Sequence, residues 1–564
     1  MDVGGGPRRS PRVAGEGRAD LGRSATVMAA GTALSRLTGL GRLMALTFAL
    51  GVAESRLADA YNIANTLPNV LYELVLGGVL SSIFIPVVVE ELRTKPRRQA
   101  WEGVSALATS AVAVLGLVTV AAVVAAPWIV GLFTSRLSEA DAARQQELAT
   151  YFLRVFAPQI ALYGVAAIAA GLLNAHNRFA VPMFAPVLNN LLVIAALLGF
   201  AALTTGVPTI EAVEADPTLK LLLGLGTTAG VAAMALAHLP ALRNLPGRWR
   251  LRARFRHPAV AKLARLSGWT LGYVVTNQVG FTVVVVLANA VQGGPTAYFT
   301  AFAFFQLPYG VAAVSVMTAL VPTLAAHHVA REGDAFRARV AGGLRAMGLL
   351  MVPATAGFLV LSRPLIALLL ERGVMQPSSG ALVASVLDMF ALGLWPFAAF
   401  LWLLRSFYAR QDARTPMLVN LVAQAFYVVA AIVLFEVADI PGLALAHTLS
   451  YLLAAVLAGR ALSWRLRGLE GPRNLQDGVK VVVATAFASV FMVTSVALVG
   501  TVVGPGNLRS LLQLGLGGGS GAVAYLAATR RMGVAEVGML TRLLPARLGG
   551  LAGGRQSRRP GARR

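Results

Sequence analysis

The sequence predicts an all-α integral membrane protein of about fourteen transmembrane helices, arranged as two pseudo-symmetric six-helix lobes followed by two further C-terminal helices. Composition, the charge of alternate loops and an internal repeat carry that prediction. Of 564 residues, 57% are hydrophobic and 13% charged, where soluble domains hold about 45–50% and about 25%; mean hydropathy is +0.69. Such a chain cannot hide its apolar surface from water, which excludes a soluble enzyme, a fibrous protein and a disordered one. A helix needs about 20 apolar residues to cross the hydrocarbon, and fourteen such stretches can be placed in order between residues 26 and 529.

The loops give an independent check, because Lys and Arg collect on the cytoplasmic side of a membrane protein. Of 49 basic residues, 38 fall in the N-terminal tail, the even-numbered loops and the C-terminal tail, seven in the odd-numbered loops and four within spans. An even number of spans and two cytoplasmic termini follow. The expected order is a disordered basic tail (1–25) without a cleavable signal, a first lobe (26–240) and a basic cytoplasmic linker (241–262). A second lobe (263–468), two C-terminal helices (469–530) and a basic tail (531–564) complete it. The net charge of +24 therefore marks loops facing anionic membrane lipids rather than a nucleic-acid partner, and "RWRLRARFR" (Arg248 to Arg256) is read in the same way. Cysteine is absent, so neither a disulfide framework nor a thiolate metal site is possible.

Internal symmetry comes next. "NAHNRFAVPM" (Asn174 to Met183) and "YARQDARTPM" (Tyr408 to Met417) share Ala, Pro and Met at an offset of 234 residues, each at a link between two spans. "TLPNV" from Thr66 is echoed by "QLPYGV" from Gln306, offset 240. Six spans form one unit, and an even number makes the two units parallel, which is a transporter arrangement.

Charges inside spans carry the chemistry, since each costs at least about 2.5–3.5 kcal/mol at the bilayer centre unless it meets a partner or a wet cavity. The candidates are Arg36, Arg42, Asp59, Glu73, Arg154 and Asp388. Arg36 and Arg42 flank "LTGLG", where Gly39 and Gly41 are expected to bend the span so that both guanidiniums face one cavity. Asp59 is expected to pair with one of them. Prolines within spans, Pro68 among them, and the repeated residues Arg178, Pro182, Asp412 and Pro416 are read as hinge or structural positions. HExxH, Walker A and GxSxG motifs are absent, so no catalytic residue, metal or cofactor is expected and the protein is read as not an enzyme. With no histidine expected inside the spans, the membrane potential acting on the two arginines is the expected energy source.

"LSRLTGLGR" (Leu34 to Arg42), "LADAYNIANTLPN" (Leu57 to Asn69), "GLLNAHNRFAVPMFAPVLNN" (Gly171 to Asn190) and "FYARQDARTPM" (Phe407 to Met417) resemble the MurJ/MviN family of lipid II flippases. That family belongs to the multidrug/oligosaccharidyl-lipid/polysaccharide exporter superfamily, and the Arg- and Gly-rich chain is similar to its actinobacterial members. The resemblance implies a multi-pass protein of the bacterial plasma membrane that moves lipid II by alternating access for peptidoglycan synthesis. It also implies a groove for the polyprenyl tail beside the two C-terminal helices, and cell-wall synthesis proteins as partners. Ser35, Arg36, Arg42 and Asp59 match the family's cavity positions, and Asn69 and Glu73 join them as expected substrate contacts. Two family arginines are replaced, by Tyr72 and Ala303, so the cavity is expected to be less cationic. A multidrug or polysaccharide-unit exporter of the same superfamily is the alternative; a carrier of cationic drugs would use acidic cavity residues, of which Asp59, Glu73 and Asp388 are available.

The charge asymmetry sets the first prediction. In the cysteine-free background, single Cys probes near Arg250 and Arg473 resist an impermeant thiol reagent in intact cells and one near Glu214 reacts; the reverse labelling pattern overturns the orientation.

Overall fold

The computed structural model describes residues 13–74, 85–245, 247 and 256–534, all of whose regular structure is helical. Part of the basic linker (246 and 248–255), the middle of the second expected span and the C-terminal tail from residue 535 lie outside the described residues. Long helices are what these apolar runs must form, because a backbone in hydrocarbon has to satisfy its own N–H and C=O groups.

Two compact units emerge, residues 1–296 with 370–379, and residues 297–369 with 380–564. The first contains α1 (Val13–Leu50), α2 (Leu57–Tyr72), α3 (Ile85–Thr94), α4 (Arg97–Phe133), α5 (Glu139–Phe156) and α6 (Pro158–Ala175). It continues with α7 (Ala180–Leu203), α8 (Ile210–Ala215), α9 (Pro217–Leu236), α10 (Leu239–Arg243) and α11 (Pro258–Asn289). The second contains almost all of α12 (Gly294–Pro308), then α13 (Val314–Val329), α14 (Gly333–Leu370), most of α15 (Pro377–Ala391) and α16 (Leu394–Ala409). It ends with α17 (Arg414–Leu466), α18 (Gly471–Val502), α19 (Asn507–Leu512) and α20 (Gly518–Arg531). These units are set by backbone proximity and are a different division from the six-span repeat.

Ten helices among the described residues are long and apolar enough to cross a membrane, and α15 with α16, bent by 47°, makes an eleventh. One of the ten, α17, is divided by non-helical backbone at Ala438 and Asp439, and α1 and α2 occupy the places of the first two expected spans. The arrangement is consistent with fourteen. One expectation is corrected: α1 begins at Val13, so residues 13–25 are helical rather than a disordered tail, as their Ala, Glu, Leu and Arg content allows.

The repeat is visible in the backbone. α6 and α16 end identically: Asn177 (φ 58°) and Gln411 (φ 59°) are left-handed, and the next N–H reaches back to Leu173 O at 2.9 Å and to Phe407 O at 3.1 Å. This is the Schellman stop, repeated at the offset of 234 read from the sequence. Likewise Pro68 is followed by π-type turns at 73–74 and Pro308 by a π-turn over Tyr309–Ala313, because each proline removes a helical donor.

Packing within the second unit centres on Trp402, fully buried, whose Nε1 donates to Val340 O at 2.9 Å. Gly343 lies flat against the Trp402 ring, where any Cβ would overlap it. Overpacked cores lose about 1–3 kcal/mol, so Gly343→Leu lowers the thermal unfolding midpoint of the purified protein by several degrees, while Gly357→Ala, a site with open space around it, leaves it within error.

Candidate functional site

The site is built from α1 upward. α1 runs unbroken through Gly39 and Gly41, so the expected bend does not exist. α1 packs on α7 here: a Cβ at Gly39 or Gly41 would meet Asn190 (3.7 Å) and Ile194 (3.5 Å) at ordinary contact distance, whereas one at Gly31 would overlap Met183. The contact is fixed by the Asn190 amide, which donates to Ser35 O at 3.2 Å and to Thr38 Oγ1 at 3.0 Å. Ser35 thus contributes its carbonyl to helix packing. On a straight helix, residues six apart lie about 120° apart around the axis, so Arg36 and Arg42 leave α1 in different directions. Both are half-buried.

Arg42 points at tyrosines. Its guanidinium lies beside the buried Tyr61 phenol and its charge also reaches Tyr163. Tyr61 shares a 2.7 Å hydrogen bond with Thr227 and is held edge-on by Phe152 and Phe156. Tyr163 in turn meets Tyr72, ring centres 5.9 Å apart, so the tyrosine at the first replaced family arginine belongs to this aromatic wall; Ala303, at the second, is exposed. Below the wall, Glu73 faces Asn69 and accepts from Gln278 Nε2 at 3.2 Å. Tyr61, Tyr163 and Gln278 escape a search for charges. The polar run "TNQ" (Thr276 to Gln278) inside an apolar span is the signal that could have found the last.

Asp59 is not where it was expected. It is completely buried and accepts three hydrogen bonds, from Gly293 N–H at 2.7 Å, Thr296 N–H at 3.2 Å and Thr296 Oγ1 at 2.7 Å. Its place in the first turn of α2 aims it at the N–H groups that open α12, away from Arg36 and Arg42. Around it Asn62 donates to Thr296 Oγ1 at 3.1 Å, and Arg56 donates to Asn289 O at 3.2 Å. The Asn289 side chain joins Gln145 (2.9 Å) to Phe133 O (2.9 Å). The segment 370–379 closes over the same place: Val374 N–H donates to Phe48 O at 3.2 Å and Gln376 N–H to Glu54 at 2.7 Å.

The hinge expectations are corrected for the repeated prolines. Pro182 and Pro416 lie in the first turns of α7 and α17, where an N–H has no intrahelical acceptor and proline costs nothing; they start helices. Arg178 donates to Ala241 O (3.3 Å) and Asn244 O (3.1 Å), capping α10. Asp412 accepts from Thr415 N–H at 3.1 Å and pairs with Arg465. Outside the membrane-spanning segments, its carboxyl lies below the usual range: burial alone would raise it, but the Thr415 and Arg465 hydrogen bonds outweigh that. Pro68 alone of the named prolines sits inside a helix, α2. Arg154 is exposed, and Asp388 accepts from Ser362 Oγ at 2.6 Å.

A buried histidine was not anticipated, yet His447 on α17 is buried among Phe302, Phe305, Phe390, Phe397, Tyr427 and Tyr451. A lone imidazole in an apolar span was readable as such and should have been counted with the in-span polar groups.

Comparison with known proteins agrees with this architecture. A family model described as lipid II flippase MurJ matches residues 48–509. The probable lipid II flippase MurJ of Rhizobium meliloti (strain 1021) is 30% identical over 524 residues, covering 90% of this chain and 93% of that protein. That of Haemophilus influenzae is 28% identical over 448 residues, covering 77% and 84%. Among solved structures, a lipid II flippase MurJ in the inward closed conformation matches with a TM-score of 0.72 at 20% identity, covering 91% of this chain and 100% of that one. An inward-facing multidrug resistance MATE family transporter of the MOP superfamily matches at 0.61 and 13%, covering 78% and 99%. The two structural likenesses establish a shared transporter fold. The family model spans most of the sequence and the relatives align along most of theirs, so the chain belongs to the lipid II flippase MurJ family.

Proposed function

We propose that this multi-pass membrane protein moves lipid II, the lipid-linked peptidoglycan precursor, from the cytoplasmic to the outer leaflet by alternating access, transporting it without transforming it. The observation that carries this reading is Arg42, a half-buried guanidinium on a membrane helix with tyrosines beside it and no carboxylate within ion-pair distance among the described residues; Arg36, also half-buried, leaves the same helix in another direction. A guanidinium without a counter-charge in an apolar span is costly and suits a pyrophosphate, whose oxygens match its fork. Ser35, Asn69, Glu73 and Tyr163, in the same unit, are read as polar contacts for the sugar, with the buried Tyr61 behind Arg42. The drug-exporter alternative is disfavoured because its acids are engaged: Asp59 by Gly293 and Thr296, Glu73 by Gln278, Asp388 by Ser362.

In this reading the basic loops and both termini face the cytoplasm of a bacterial cell, in contact with anionic lipids and cell-wall synthesis proteins, and residues 26–240 and 263–468 act as lobes. The Asp59 network supports the closed outer end. Residues 289–296 and 370–379 are assigned by the repeat to the second lobe, yet pack with residues 48–62 in one compact unit. An apolar cavity of about 650 Å³ beside α14, Trp395 and α18 suits part of the polyprenyl tail.

Arg36→Ala and Arg42→Ala each abolish exposure of lipid II at the outer leaflet while the protein still accumulates in the membrane, and Lys at either position restores only part, losing the bidentate fork. Growth of cells carrying either alanine variant as the sole copy refutes the anion role. A second experiment tests the opening: the pair Asn62→Cys and Thr296→Cys cross-links under oxidation and stops lipid II exposure, and reduction restores it. Transport undiminished by a complete cross-link rules out opening at this place.

A further inference from the structure

The first unit holds a second cavity, of about 500 Å³, between α4, α6 and the segment 239–247. Its counterpart is the cavity beside α18. Thr109 and Val112 on α4 match Gly348 and Val352 on α14 at offsets of 239 and 240 residues, and the lining segment 239–247 matches 474–483 at 235 and 236. Each unit thus carries one apolar cavity beside a long helix of similar register.

The two are completed differently. In the second unit α20 packs beside the site: Tyr525 donates to Leu349 O at 2.7 Å, and Val481 and Val534 pack on Leu349. The charges there are mutually neutralised, Arg345 by Glu470 (2.9 Å) and Asp477 (3.7 Å), and Lys480 by Asp477 (3.5 Å). In the first unit the lining segment is only the short α10 and the turn after it. Its roof is fixed by Arg178, which grips Ala241 O and Asn244 O, and by Gly247, whose backbone lies on the Trp101 ring so closely that a Cβ would overlap it. The outer face of α4 above the cavity is bare: Leu117, Val120, Val124 and Trp128 are 61–73% exposed. At the mouth stands Arg243, exposed and without a carboxylate partner among the described residues.

We propose that this cavity is a binding site for one anionic phospholipid. An acyl chain enters between α4 and α6 and continues along the bare face of α4, and the phosphate lies against Arg243. The occupant follows from the chemistry of the walls. An apolar recess opening sideways into hydrocarbon takes a methylene chain through van der Waals packing. An exposed guanidinium at the mouth, without a carboxylate partner among the described residues, takes a headgroup anion. A helix, about 10–12 Å across with its side chains, is too wide for a recess of this volume.

The test uses the delipidated full-length protein in detergent, with palmitoyl-oleoyl phosphatidylglycerol or phosphatidylcholine added and bound lipids counted by native mass spectrometry. The wild type retains one phosphatidylglycerol about fivefold more tightly than phosphatidylcholine. Arg243→Ala equalises the two, and Val165→Trp, which fills the recess, removes the bound lipid. Val112→Trp fills it from the opposite wall and does the same, and thermal unfolding identifies any variant that has lost its fold. An unchanged preference in Arg243→Ala, or full occupancy in both filled but folded variants, overturns the site. So does a wild type that binds both lipids equally.

Discussion

A fully buried carboxylate obliges the residues around it to stay together, and Asp59 imposes that obligation on the first unit. Its oxygens take two N–H groups and one hydroxyl from residues more than 230 positions away in sequence. A buried charge deprived of its partners costs several kcal/mol, so the start of α2 and the segment 289–296 separate only when something replaces those donors. Water can. A seam of carboxylate, amide and hydroxyl groups can be solvated on both faces after it parts, whereas an apolar seam would expose surface that water penalises. A polar seam of this kind is suited to parting and closing again.

The sites framed by this closure differ in how they tolerate charge. Asp59 is satisfied by backbone and hydroxyl donors, Asp388 by a serine and Glu73 by a glutamine. Arg36 and Arg42 have no carboxylate within ion-pair distance among the described residues, and Arg42 lies beside Tyr61. The distinction lies in partners rather than in depth, and it divides the in-span charges into carboxylates held by neutral donors and guanidiniums without a counter-charge.

That division was not legible in the sequence, although much else was. Composition and loop charge are one-dimensional properties, and they gave the fold class directly. The repeat was readable because a left-handed stop such as Asn177 or Gln411 and a helix-starting proline such as Pro182 or Pro416 are local requirements that leave residues behind at fixed spacing. Asp59 was misplaced because its partners, Gly293 and Thr296, are chemically anonymous and lie far along the chain. Gly39 and Gly41 lie in continuous helix, and the glycine that admits the neighbouring helix is Gly31, where a Cβ would overlap Met183; the sequence alone does not tell these glycines apart. Tyr61 and Tyr163 went unnoticed since aromatic residues are ordinary in a membrane span and become informative only beside a guanidinium.

The paired stops at Asn177 and Gln411 have a consequence for how the protein is made. Each fixes a turn of a few residues between two apolar helices, so that α6 with α7, and α16 with α17, are bent back on themselves by local hydrogen bonds before any distant partner has been synthesised. A segment of this kind can enter the bilayer as a preformed hairpin, with its polar turn left on the side from which it was delivered. The same local stop stands at both places, so each hairpin carries its own instruction to turn.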